Sequence, residues 1–258
     1  MKERHGEIAV RAEGAVAIIE IDRPPHNHVT VDLIRELAGV LDAIDADKAL
    51  RVSVLASAGK NFCAGADLVS RRGLGSEGQG IGTLYEEAVR IFSATKPMVA
   101  AVQGAAVGAG LGLALVADFR IAAPEARFAA NFVKLGFHPG FGLTHTLPRL
   151  IGAQKAALMF LTGRRVKAEE ALGWGLVDEM VPLDRLRDTA VALAREIAEN
   201  APLAVQSARA TLRRGLADSV RVQTAHELAE QTWLRETADY AEGVRAVQER
   251  RPGNFTGA

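Results

Sequence analysis

Along the first half of the chain, short apolar runs alternate with longer amphipathic stretches. Ala15–Ile21 is rich in β-branched residues and predicts a strand. Arg23-Pro24-Pro25-His26-Asn27 ends it, because proline cannot continue a central strand. From Val31 onward, Leu33, Leu37, Val40, Leu41 and Ile44 recur at helical spacing, with charged residues between them, which predicts an amphipathic helix. Val52–Ala56 predicts a second strand. A helix over Leu84–Ala94 stops ahead of Lys96-Pro97, since the residue before proline is disfavoured in helical conformation. A strand at Met98–Val102, a helix over Gly108–Val116 and a strand at Asp118–Ala122 follow. Residues 128–150, punctuated by Gly136, Pro139, Gly140, Gly142 and Pro148, predict a loop-rich stretch. Helical patterns then dominate, over Ala153–Leu161, Ala168–Trp174, Leu183–Asn200, Leu203–Arg214, Val220–Thr237 and Ala238–Arg250. The chain passes from mixed α/β to nearly all α.

Two of the predicted strands run into turns made of small residues. Val52–Ala56 leads to Asn61-Phe62-Cys63-Ala64-Gly65-Ala66-Asp67-Leu68, and Met98–Val102 leads to Gly104–Gly112. Small residues let a ligand approach the backbone closely. A helix that starts at such a turn leaves its first N–H groups free and presents a positive dipole end. Two such turns brought together could hold one oxygen that becomes negative during a reaction. Residues 70–82 carry five glycines and read either as a surface loop or as a flap beside a pocket.

Composition narrows the function classes. The chain has 258 residues, 48% hydrophobic, enough for a substantial core. Lys+Arg and Asp+Glu both number 31, so the zero net charge argues against a general nucleic-acid binder. One cysteine, Cys63, excludes an intramolecular disulfide and fits a reducing compartment. The polar start and the lack of an unbroken membrane-length apolar run lead us to expect a cytoplasmic protein, with no membrane partner.

These motifs together resemble the enoyl-CoA hydratase/isomerase (crotonase) superfamily. The likeness rests on Lys60–Leu68, Lys96-Pro97, Gly104–Gly112, Ala117-Asp118, Leu147–Gly152, Leu161–Arg165, Ala168–Ala171, Gly173–Asp178, and Glu242–Ala246 through Asn254-Phe255. It runs in order over nearly the whole chain. The resemblance implies an α/β spiral of ββα units over residues 1–196, then a helical region over 197–258 that packs in a homotrimer, often a dimer of trimers. It implies an acyl-CoA thioester as substrate, coenzyme A being part of that substrate, with no separate cofactor and no metal. It implies that the amides of Ala66 and Ala109 polarise the thioester carbonyl and stabilise an enolate. It assigns Ala64, Asp67 and Leu68 to the ligand-binding turn, with Asp67 bracing it. Phe255 either stacks near the adenine of a neighbouring subunit's ligand or packs at a helix end.

The resemblance also raises an acid/base problem. The family's hydratases carry two glutamates, and here those positions hold Gly112 and Phe132. Neither side chain can transfer a proton, which puts double-glutamate hydration in doubt. His138, in Leu135-Gly136-Phe137-His138-Pro139-Gly140, is a candidate replacement, because histidine titrates near neutral pH. The alternative is that it only hydrogen-bonds the loop. His145, on the helix expected to follow, is a weaker candidate, and Glu86 and Glu87 on the helix over Leu84–Ala94 read either as pocket groups or, more simply, as an exposed helix face. His26-Asn27-His28 lacks the spaced partners of a metal site and reads as a polar loop near the ligand entrance. Cys63 reads as a small buried side chain. Three functions stay open at this point: an acyl-CoA enzyme, a non-catalytic acyl-CoA binder, and a hydrolase using His138.

Overall fold

In the computed structural model, which describes residues 4–66 and 80–258, most strands of the main sheet lie in chain order. This seven-stranded sheet runs β1 (Arg4–His5), β2 (Ile8–Glu13), β3 (Val16–Ile21), β4 (Val52–Ser57), β5 (Met98–Val102), β7 (Phe119–Ala122) and β10 (Glu179–Met180). The first three strands pair antiparallel, and from β3 onward every pairing is parallel. Helices α1 (Val31–Ala46), α2 (Ile81–Phe92) and α3 (Ala109–Ala114) fill the crossovers between the parallel strands. A smaller sheet of β6 (Ala105–Val107), β8 (Arg127–Ala129) and β9 (Arg165–Lys167) begins inside the second turn.

Both faces of the parallel region are buried, and the alternation of side chains divides them. Val16, Ile18, Val52, Val54, Val99 and Ala101 face α7 (Leu186–Ala198) through its Ala190, Val191 and Ala194. Ile19, Ile21, Leu55, Ala100 and Val102 face the larger core, which includes Leu33, Leu37 and Ile44 of α1. Helices α4 (Leu143–Ile151), α5 (Ala153–Thr162) and α6 (Ala168–Gly173) precede α7. The chain ends with α8 (Pro202–Leu212), α9 (Leu216–Leu234) and α10 (Ala238–Gln248). Asp118 ties α8 to the sheet: its carboxylate accepts from the Met98 amide and pairs with Arg209 and Arg213 at 2.8 and 3.0 Å.

Several elements differ from the pattern-based expectation. The helix expected to carry His145 is α4, which starts at Leu143, inside the loop-rich stretch 128–150, and Ile8–Glu13, absent from that reading, is a full strand. The predicted helix over Leu183–Asn200 opens as a 3-10 turn at Leu183–Arg185 before α7 begins. Of the glycine-rich segment 70–82, only residues 80–82 are described, and there Ile81 and Gly82 open α2. Among the described residues no helix is long and apolar enough to cross a membrane.

Candidate active site

The two small-residue turns are zipped together. The Phe62 amide donates to Gln103 O at 2.7 Å, Cys63 N to Ala105 O at 2.8 Å, and Val107 N to Cys63 O at 3.1 Å. The Ala105 amide donates to the Asn61 side chain at 3.1 Å. Glycine is required where the strands come this close. Gly65 has φ 90°, and a Cβ there would stand 2.7 Å from Val107 O and 3.9 Å from the Ala109 nitrogen. A Cβ on Gly110 would stand 2.2 Å from Cys63 O.

This packing brings Ala66 and Ala109 to one wall. Ala109 is the first residue of α3, and Gly108 before it, at φ 56°, supplies no side-chain cap. Among the described residues neither the Ala66 nor the Ala109 amide has a hydrogen-bond partner. Both residues line a cavity of about 330 Å³, and Ala64 lines it with them. Asp67 and Leu68 lie outside the described residues.

The remaining walls are mostly apolar and aromatic. Leu84 and Tyr85 come from α2, Phe132, Phe137 and Phe141 from the segment before α4, and Val244 from α10. Phe132, Phe137 and Tyr240 form an edge-to-face chain with centroids 5.5 and 5.6 Å apart. The space that a side chain on Gly112 would need is filled, since its Cβ would stand 2.5 Å from Phe141 Cδ1. Aromatic rings thus occupy the surroundings of both positions, 112 and 132.

The polar groups of the cavity are few. Among the described residues its titratable lining side chains are His28, Tyr85 and Arg235. Burial pushes the Tyr85 phenol well above its ordinary value, so it stays neutral, and it donates to Gln231 Oε1 at 3.0 Å. Arg235 donates to the same oxygen at 3.1 Å and lies over the Phe137 ring. Gln231 in turn donates to the carbonyls of His138 and Pro139 at 2.9 and 3.2 Å. Pattern reading missed Tyr85, Gln231 and Arg235. The available signal was a buried polar stripe on α9, where Thr224, Glu227 and Gln231 recur at helical spacing.

His138 is not among the residues lining the cavity. Its Nδ1–H donates to Pro139 O at 2.7 Å, and its ring stands edge-to-face on His226 of α9, with centroids 5.9 Å apart. The loop-bracing alternative matches this geometry. His145 lies on α4, outside the cavity lining, with its Nε2 buried and unpartnered among the described residues. Glu87 pairs with Arg35 and Arg90, and Glu86 borders a separate cleft. The Cys63 thiol is fully buried, and burial pushes its pKa up to about 12, which keeps it protonated. Phe255 is 44% exposed and lies outside the cavity lining.

The comparisons with known proteins agree with one another. The family model "Enoyl-CoA hydratase/isomerase" matches residues 11–258. The short-chain-enoyl-CoA hydratase of Clostridium acetobutylicum is 35% identical over 248 residues, covering 95% of each chain. The 1,2-epoxyphenylacetyl-CoA isomerase of Escherichia coli is 34% identical over 257 residues, covering 97% of this chain and 98% of its own. The crystal structure of an enoyl-CoA hydratase/isomerase from Pseudoalteromonas atlantica T6c superposes with a TM-score of 0.88 at 29% identity, covering 97% of this chain and all of that one.

Proposed function

The chain belongs to the enoyl-CoA hydratase/isomerase family, and from that premise we propose that it stabilises the enolate of an acyl-CoA thioester between the amides of Ala66 and Ala109. That it is an acyl-CoA enzyme of the hydratase/isomerase kind follows from its relatives. The reaction within that kind is read from the site. One observation carries the reading: Ala66 and Ala109, whose amides have no partner among the described residues, line one largely apolar cavity from adjacent turns. Preorganised donors in such a water-poor site stabilise a developing oxyanion by roughly 3 kcal/mol each. Among the described residues the cavity lining around Gly112 and Phe132 supplies no carboxylate, and we read the enzyme as using the enolate without the two-glutamate activation of water. Ala64 then borders the thioester. Exposed Leu161, Leu203, Leu212 and Val222 supply apolar surface for subunit contacts, and we read the assembly as a homotrimer or a dimer of trimers. Mass photometry is expected to give three or six times 27.4 kDa.

The test removes one donor without removing the helix. Proline is tolerated at the first residue of a helix and has no N–H. Ala109→Pro is therefore expected to leave α3 in place and to lower kcat by about 10²–10³-fold on whichever member of a crotonyl- to octenoyl-CoA panel the wild type turns over, followed by enoyl absorbance. An unchanged kcat in a folded Ala109→Pro variant would sink the oxyanion reading. Failure of the wild type to bind any CoA thioester, measured by calorimetry, would remove the substrate class.

A further inference from the structure

The side chains of His26-Asn27-His28 hold both ends of the first turn. His26 Nδ1 accepts from Asn61 Nδ2 at 3.1 Å. Asn27 Nδ2 donates to the carbonyls of Ala58 and Asn61, both at 2.8 Å, while its Oδ1 accepts from the Arg23 amide at 2.9 Å. His28 Nδ1 lies 3.0 Å from the carbonyl oxygen of Gly65, which also accepts from the Val29 amide at 2.9 Å. A carbonyl can only accept, so Nδ1 carries the proton. The Arg23 guanidinium donates to the His28 carbonyl and holds the backbone behind the ring.

The peptide that His28 grips is the one whose nitrogen is the Ala66 amide. In a planar trans peptide the carbonyl and the following N–H point in opposite directions from one rigid unit. Two donors on the Gly65 oxygen therefore fix the plane in which the Ala66 N–H points. They also polarise that peptide, because hydrogen bonds in series strengthen one another. We propose that His28 is a positioning residue, which aims the Ala66 N–H and strengthens it as a donor to the thioester oxygen. This inference rests on the reading of Ala66 as an oxyanion donor. The Val29 amide alone would leave the second acceptor position of the Gly65 oxygen unfilled.

The probe is 4-(dimethylamino)cinnamoyl-CoA, whose visible absorption moves to the red when its thioester carbonyl is polarised. His28→Phe keeps a ring without the N–H. His28→Asn keeps an N–H donor near the position of Nδ1. The wild type is expected to red-shift the bound probe. His28→Phe is expected to lose much of that shift and about tenfold in kcat, with KM and probe affinity nearly unchanged. That loss is smaller than the 10²–10³-fold of removing a donor outright. His28→Asn is expected to restore most of both, a rescue that a merely space-filling role would not produce. Full red shift and full kcat in His28→Phe would overturn the role of His28. A shift that is lost in His28→Phe and equally lost in a folded His28→Asn would overturn it too. Absence of any shift on binding to the wild type would instead count against the Ala66 reading itself.

Discussion

Putting a side chain back at position 112 is the sharpest test of how this site is built. A Cβ on Gly112 would stand 2.5 Å from Phe141 Cδ1, 2.9 Å from Cγ and 3.0 Å from Cβ. Carbon atoms rest about 3.5–4.0 Å apart, so the overlap is roughly 1 Å. Rotating the ring cannot relieve it, because the Phe141 Cβ is crowded too, and Phe141 is only 1% exposed. Gly112→Ala is therefore expected to lower stability by about 1–3 kcal/mol, the usual range for overpacking. Phe141 itself sits at φ 64°, a left-handed conformation that costs a non-glycine residue about 1–2 kcal/mol. Phe141→Gly loses about 3–5 kcal/mol of ring burial and regains that strain. In the double variant the overlap is gone, and alanine in a helix is about 1 kcal/mol better than glycine. The cycle should then show a favourable coupling of about 1–3 kcal/mol or more in urea denaturation followed by circular dichroism. Additive single effects, or a neutral Gly112→Ala, would refute the packing argument. Since a glutamate begins with the same Cβ, Gly112→Glu is expected to be destabilised as well and to gain no enoyl-CoA hydration.

Two further predictions concern the supports of the site. Burial holds the Glu227 carboxyl above its ordinary 4.5, although it accepts from the Gly142 amide and from the amide and hydroxyl of Thr144. A folded chain that keeps this proton longer than the unfolded chain loses this group's contribution as pH rises from 4.5 through the folded value. Denaturation midpoints of the wild type relative to Glu227→Gln are therefore expected to fall as pH rises from 4.5, and a flat or rising difference would refute the assignment. Asn27 lies at φ 53° and makes three hydrogen bonds between the β3 exit and the first turn. Both Asn27→Ala and Asn27→Gly should cost about 1–3 kcal/mol or more through buried groups left unpaired. The glycine variant should melt later, by the equivalent of about 1 kcal/mol of left-handed strain, and equal melting would remove strain from the account.

The legible parts of this chain are those whose physics is local. Strands β3, β4 and β5 announce themselves as β-branched or apolar runs, and the two turns as glycine and alanine clusters between a strand and a helix. Strand β6 is only Ala105-Ala106-Val107, and it exists because the remote β8, itself paired to β9, accepts it as a partner. Gly140, Gly142 and Pro148 blur the bounds of helix α4, and the group that caps its start, Glu227, arrives from 85 residues further along the chain. The candidate histidines show the same division. His138 has a suggestive sequence position, but its ring is drawn against His226 while Gln231 holds the loop carbonyls, and both partners belong to α9. His28 has a bland sequence position and is drawn to the Gly65 peptide by the zipped turns. Helix α9 decides much of this, yet its buried positions Thr224, Glu227 and Gln231 are polar, so a search for apolar periodicity passes over them. Glu227 and Gln231 of that stripe satisfy the backbone of the loop between Phe137 and Thr144, and α9, its C-terminal cap and α10 supply Gln231, Arg235, Val244 and Val247 to the cavity wall. The C-terminal helices are thus part of the cavity wall, and substitutions on the inner face of α9 should alter the cavity before they alter the fold of the sheet.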